Sequence, residues 1–299
     1  MSKQASANVA GAGLGLTTPV LAHLGKLALS VRRPVIGRPG QRRSRHTGSS
    51  VEFADFRSYV PGDDFRRIDW NAYARMDRLL LRLYSGEEDT CLCIWMDASR
   101  SMAYGRPEKI EFARRIAGAL LYVALSSHDR AALMPFSDTI GSRVNAQRGP
   151  RSAPRLWNAL QELECAGATN FGAIGSAATS VPRGVAVIIS DFLTESDPAP
   201  AIAALRRGGS EAVLLQVLAP QEADPRMRGD VRLHDSETGA DVEITATQAV
   251  IRNYQAALHD HEDRLRALAN SHGARFLSFR SDTAIEDAIR ELCRAGLLR

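Results

Sequence analysis

Asp97, Ser99 and Ser101 carry oxygen on alternate residues of one short stretch, within Cys91 to Gly105, CLCIWMDASRSMAYG. Oxygen-only donors suit hard cations, Mg²⁺ above all, which keeps several waters and needs no full protein cage. The same residues could serve as a polar turn capping the next helix, and five residues do not decide between the two. A metal site makes a second demand: further oxygen donors from loops that follow other strands. Asp191 follows the apolar run Val185 to Ser190, and Thr169 sits in the Gly-led loop Gly167-Ala168-Thr169-Asn170-Phe171. Asp97, Ser99, Ser101, Thr169 and Asp191 are therefore the candidate ligands. Mg²⁺ is the expected ion, with Mn²⁺ as the alternative.

These residues need a scaffold that brings strand ends together. Cys91 to Met96 is apolar without alternation, the pattern of a strand buried on both faces of a parallel sheet. The polar cluster lies past its carboxyl end, where open α/β sheets bind ligands. From Thr90 onward strands and helices alternate. Strands are expected at Arg130 to Phe136, Val185 to Ser190, Ala212 to Leu218 and Ala274 to Ser278. Helices are expected at Glu108 to Ser127, Pro154 to Cys165, Phe171 to Val181, Ala199 to Arg207, Thr247 to His272 and Thr283 to Arg294. The fold class is α/β, a doubly wound and mainly parallel sheet with helices on both faces. A β-hairpin insertion at about 228–246, turning at Glu237-Thr238-Gly239, interrupts the alternation. No internal repeat is visible.

The chain has 299 residues, 44% of them hydrophobic and 24% charged, ordinary values for a globular protein with a sizeable core. Its four cysteines (Cys91, Cys93, Cys165, Cys293) form no C-x-x-C pair and read as free thiols of a reducing compartment. No run approaches the roughly 20 apolar residues of a membrane span, and a cytoplasmic location is expected. The net charge of +4 is uneven. No acidic residue precedes Glu52, and Arg32, Arg33, Arg38, Arg42, Arg43 and Arg45 crowd the start. Residues 1–50 therefore read as a basic, partly disordered arm, with a short helix around Leu21 to Arg32. Such an arm can meet an acidic protein surface or nucleic acid. It lacks interleaved aromatics for stacking on single strands, so nucleic acid is not the expected partner. Residues 51–89 form a bracing segment before the main domain at 90–299. In it a strand is expected at Leu79 to Tyr84, and the Arg and Asp residues beside Trp70 (Arg66, Arg67, Asp69) read as a partly buried ion-pair network around an aromatic anchor.

A metal-dependent hydrolase using Asp97 as nucleophile is an alternative, but such enzymes want a second Asp where Ser99 stands. No P-loop and no Gly-x-Ser-x-Gly elbow occurs. The seven histidines are scattered, and His259 and His261, two apart on a helix, do not share a face. The chain is expected not to be an enzyme. A further alternative has the basic arm bind the partner, with a merely structural metal site.

Asp97-x-Ser99-x-Ser101 with the distant Thr169 and Asp191 resembles the metal-ion-dependent adhesion site of von Willebrand factor type A domains. That resemblance implies Ser99 and Ser101 as direct ligands, Thr169 as a state-dependent one, and Asp97 and Asp191 acting through water. A partner's carboxylate would complete the sphere. VEFADFRSYVPGDDFRRIDWNAYAR, LRLYSGEED, DASRSMAYG, Ser190-Asp191-Phe192 and RLHDSETGADVEI are further similar to the domain of unknown function 58 family. This implies a non-catalytic adaptor that works with a MoxR-type AAA+ ATPase or a client protein offering Asp or Glu. Two departures stand out. Many relatives carry membrane segments, which this chain does not show, and many carry an acidic residue where this chain has Asn170.

Overall fold

The computed structural model describes residues 13–30, 52–60, 63, 65, 68–85, 90–227, 229–234 and 241–299. In chain order the elements are α1 (Thr18–Leu24), β1 (Glu52–Ser58), α2 (Trp70–Met76), β2 (Leu80–Ser85), β3 (Cys91–Asp97), α3 (Lys109–Ser126), β4 (Arg130–Phe136) and β5 (Val144–Arg148). They continue with α4 (Ala153–Gln161), α5 (Phe171–Ala177), β6 (Gly184–Ser190), α6 (Ala199–Arg207), β7 (Glu211–Leu218) and α7 (Pro220–Ala223). The last are β8 (Gly229–His234), β9 (Asp241–Ala246), α8 (Gln248–Ser271), β10 (Arg275–Arg280) and α9 (Ile285–Arg294). The chain divides into two compact units, residues 34–89 and residues 1–33 with 90–299.

The larger unit is built on a six-stranded sheet of order β10-β7-β6-β3-β4-β5. All neighbours are parallel except β5, which runs antiparallel to β4 at the edge. All seven residues of β3 are buried, as its unbroken apolar run predicts. Successive side chains of a strand point to opposite faces, so β3 feeds two cores. Leu92, Ile94 and Met96 join the layer containing α1, α3, α4 and α9. Cys91, Cys93 and Trp95 join the layer containing α5, α6 and the end of α8. This is the expected doubly wound α/β arrangement. The cysteines are free, and burial pushes the Cys91 thiol up to about 11, as befits core packing. No helix among the described residues is long and apolar enough to cross a membrane.

The N-terminal assignment needs correction. Residues 13–30, grouped by composition with a basic arm, belong to the larger unit's core. Leu14, Leu16, Val20, Leu21 and Leu24 are buried in the α3–α4 layer. The following backbone is tied to the C-terminus: Ala28 N donates to Arg299 O, and Arg299 N to Ala28 O (2.9 and 3.0 Å). Charge counting hid this because the arginines all lie after these leucines. The helix is Thr18–Leu24, ending before Gly25 rather than reaching Arg32; residues 31–50 lie outside the described residues.

Edge strand β5 was not foreseen, since VNAQR lacks a clear apolar pattern. Most other elements fall within a few residues of their predicted bounds. The hairpin pairs β8 with β9, and its expected turn lies outside the described residues. Thr247 caps α8, its hydroxyl accepting from Val250 N at 3.3 Å. Of α8, only Leu265 and Ala269 are buried, so its N-terminal half, with Ile251, Tyr254 and Leu258, is largely uncovered.

In the smaller unit β1 and β2 form an antiparallel pair with an irregularity between Phe53 and Asp55. Asp69 caps α2, accepting from Asn71 N and Ala72 N (3.0 and 3.1 Å). Trp70, the expected aromatic anchor, is 60% exposed. Its ring meets that of Tyr73 edge-on at 6.2 Å, and Ala72 is the buried residue of α2. Arg66 and Arg67 lie outside the described residues.

Gly184 shows how tightly β3 and β6 meet. Its φ is +152°, and a Cβ there would lie 2.1 Å from the backbone oxygen of its register partner Cys91. Gly184→Ala is expected to lower stability by about 1–3 kcal/mol through forced separation of the two strands. Urea unfolding checks this; an unchanged midpoint would mean the contact is not that close.

Candidate metal centre

Strands β3 and β6 are neighbours in register, Met96 opposite Ile189, and both end in polar residues at the carboxyl edge of the sheet. Asp97 is fully buried there. Ser99 N donates to its Oδ1 at 2.9 Å and the Ser190 hydroxyl to its Oδ2 at 2.6 Å. Thr169 Oγ1 lies 3.1 Å from the same Oδ2 and 3.0 Å from Ser99 Oγ, which is itself 3.0 Å from Ser101 Oγ. Asp97, Ser99, Ser101 and Thr169 thus form one continuous chain of oxygens. Only Ser101 among them is not buried, so the constellation opens on its side.

Thr169 is brought in by a loop stitched to its neighbours. Ala166 N donates to Ala98 O (2.8 Å) and Arg100 N to Gly167 O (3.1 Å). Gly167 adopts φ +75°, and a Cβ there would meet Asp138 Oδ2 at 2.2 Å. Ala168 N donates to Asp138 Oδ1, and Asn170 N to Ser137 O (3.2 Å each). Asn170 then caps α5, its side-chain oxygen accepting from Gly172 N at 2.9 Å. The residue that departs from the family pattern therefore has a local structural job.

Asp191 is fixed by a turn. Phe192 has φ +55°, an uncommon value for a bulky residue. Its ring stacks on Phe171 at 5.3 Å, and Phe171 contacts Phe136 at 5.7 Å. That aromatic layer holds the strained turn. Leu193 N donates to Asp191 Oδ1 (3.0 Å), and Gln216 on β7 donates to Asp191 O (3.0 Å). The carboxylate's second oxygen is 2.7 Å from Lys109 Nζ.

Burial pushes the Asp97 carboxyl up to about 6, and the Asp191 charge adds to this against the opposing bonds from Ser190 and Ser99. Burial works against the Lys109 ammonium, yet Asp191 and Glu222 outweigh it and hold its pKa above the ordinary lysine value.

All five residues singled out in the sequence lie at this end of the sheet. Four are linked directly; the fifth, Asp191, is felt by Asp97 through its charge and is held by Lys109. An octahedral Mg²⁺ with oxygens about 2.1 Å away sets neighbouring ligands about 3.0 Å apart. The Ser99–Ser101 and Ser99–Thr169 spacings, each 3.0 Å, match that edge. The donors are thus of the right type and spacing for a small hard cation. Among the described residues no three His, Cys, Asp or Glu side chains gather in a cluster of the carboxylate- or imidazole-rich kind.

Sequence reasoning missed Ser190, Lys109 and Glu222. Ser190 was read as the end of an apolar strand. Lys109 had a signal: it sits three and four residues before the inward-facing Phe112 and Ala113, on the apolar stripe of α3. Glu222 had only its place in the first turn after Pro220.

The match to the family described as "Protein of unknown function DUF58" runs over residues 55–264. The chain belongs to the DUF58 family. It is 28% identical over 272 residues to uncharacterized proteins Mb1516 of Mycobacterium bovis and Rv1480 of Mycobacterium tuberculosis, covering 87% of this chain and 84% of each relative. Among solved structures, this DUF58 chain is similar to an aerotolerance-related membrane protein from Bacteroides fragilis (18% identity, TM-score 0.47, covering 69% of this chain and 98% of that one). It is also similar to BatB from Bacteroides thetaiotaomicron (16%, TM-score 0.44, 69% and 98%) and to the SpRpn10 VWA domain (12%, TM-score 0.39, 68% and 94%).

The Asp97 carboxyl gives a pH test in EDTA. Its folded value of about 6 lies above the ordinary 3.8, so the folded state binds the proton more tightly. The associated stability is present in full below about pH 4 and is lost as the pH rises through about 6. Measured against Asp97→Asn, the wild type is expected to lose on the order of 3 kcal/mol across that window. Urea unfolding at a series of pH values reads the difference; parallel curves for the two proteins would rule it out.

Proposed function

We propose that this chain is a protein-recognition module in which Ser99, Ser101 and Thr169 hold Mg²⁺ directly and Asp97 and Asp191 hold it through water. The observation that carries the reading is that Ser99 Oγ lies 3.0 Å from both Ser101 Oγ and Thr169 Oγ1, beside a buried carboxylate. Bound there, the ion would supply a Lewis-acidic position that an Asp or Glu from another protein can fill.

The chain's own residues prepare that contact. Neutral hydroxyls contribute no charge, so the charge of a bound ion is not exhausted by its protein ligands and an incoming carboxylate gains a charge-assisted contact. The hydrogen bonds from Ser99 N and Ser190 Oγ orient Asp97, and the stitched 166–170 loop keeps Thr169 within reach of both. The opening beside Ser101 gives the partner its approach. On this reading the module binds rather than catalyses. It acts in the cytoplasm, with either a MoxR-type AAA+ ATPase or a client offering Asp or Glu as partner. The resemblance of its motifs to the DUF58 family supports that partner class, and Mn²⁺ can replace Mg²⁺ at such an oxygen site.

Asp97→Ala is expected to abolish capture of the partner from native lysate while the protein stays folded by circular dichroism. Wild-type capture should likewise fail in EDTA and return with Mg²⁺. A MoxR-type ATPase or acidic client recovered equally with wild type, EDTA-treated and Asp97→Ala protein would sink the metal-bridged reading.

A further inference from the structure

Lys109 is the charged group at the site that the five-residue ligand set leaves unused. It is 1% exposed, at the start of α3, with Nζ 2.7 Å from Asp191 Oδ2 and 2.5 Å from Glu222 Oε1. Glu222 is itself fixed, its other oxygen accepting from Ala219 N at 2.7 Å. The ring of Tyr104 lies 5.7 Å from the ammonium. An unpaired ammonium at this depth would be costly, and so would the two fully buried carboxylates of Asp97 and Asp191 without a positive charge beside them. Lys109 and the site carboxylates therefore depend on each other in the absence of any added ion.

A divalent cation at the hydroxyl cluster would draw on the same carboxylate, Asp191. Two cations then share one anion, one built into the chain and one taken from solution. Glu222 keeps Lys109 paired whichever of them Asp191 favours. We propose that Lys109 is an internal counter-cation: it holds Asp191 and preserves the folded site when no ion is bound, and it thereby weakens the site's own hold on a divalent ion. A partner's carboxylate then makes up the missing attraction, so that metal and partner bind together. This deepens the metal-bridged reading above and rests on it.

The test is calorimetric titration of MgCl₂ into the 299-residue chain, with melting temperatures in EDTA and in Mg²⁺. Removing one positive charge a few ångströms from the site should tighten Mg²⁺ binding by Lys109→Met roughly tenfold over wild type. The same variant should melt below wild type in EDTA and gain more than wild type from Mg²⁺. Binding that is unchanged or weaker in Lys109→Met overturns the inference, because Lys109 would then be indifferent to the ion or needed to position Asp191 for it. If Lys109→Met does not fold even in Mg²⁺, Glu222→Gln decides. Among the described residues, that change leaves Asp191 as the carboxylate paired with Lys109 and should weaken Mg²⁺ binding; equal or tighter binding counts against the proposal. Wild-type binding with no gain in Lys109→Met rejects this role alone. No binding by either folded protein rejects the metal site itself.

Discussion

Two carboxylates, Asp97 and Asp191, stand fully buried at the ends of adjacent strands, and their mutual repulsion in a dry setting is the constraint around which the larger unit is arranged. Like charges at such depth are tolerated only when hydrogen bonds and an opposite charge surround them. The chain supplies both. Ser99 N and the Ser190 hydroxyl donate to Asp97, with Thr169 Oγ1 beside it, and Leu193 N and Lys109 serve Asp191. The buried strands β3 and β6 bring the two carboxylates to the same edge of the sheet, and the Gln216 amide on β7 donates to Asp191 O.

The surrounding elements are explained by that demand. The Phe136–Phe171–Phe192 layer holds a left-handed residue where a helix or strand would have carried Asp191 away from its partner. Asp138 and Gly167 join the loop after β4 to the loop that carries Thr169. Site geometry thus rests on rigid strand ends and cross-linked loops, which suits recognition that needs several oxygens at fixed spacing. The oxygen constellation lies at one edge of the sheet, past the carboxyl ends of β3 and β6. The recognition function proposed for that edge draws its support from the site itself, since the solved structures of similar shape share too little with this chain to lend it a role.

Much of this was legible in the sequence. The unbroken apolar runs of β3, β6 and β7 require burial on both faces, hence a mainly parallel sheet under two helical layers. The oxygen-bearing residues at their carboxyl ends follow from the register, because an apolar run must stop where the strand leaves the core. Asp97, Ser99, Ser101, Thr169 and Asp191 could therefore be named from residue type and position. The packing of Leu14 to Leu24 was not legible, since an amphipathic segment next to a basic stretch looks the same whether or not a core awaits it. Nor was the exposure of Trp70, because residue type gives hydrophobicity but not what lies opposite.

What the sequence determined by itself was the local chemistry: which segments are apolar enough to be buried strands, and which hydroxyls and carboxylates follow them. Tertiary structure alone decided the partners. Lys109 and Asp191 are 82 residues apart and Lys109 and Glu222 113, and no local pattern links a lysine at a helix start to a carboxylate after a distant strand. The strand order, with β6 beside β3 and β7 beyond it, sets those three groups within hydrogen-bonding reach. Burial then turns an ordinary lysine into the counter-charge of the site, because only in a dry interior is an ion pair the alternative to an uncompensated charge.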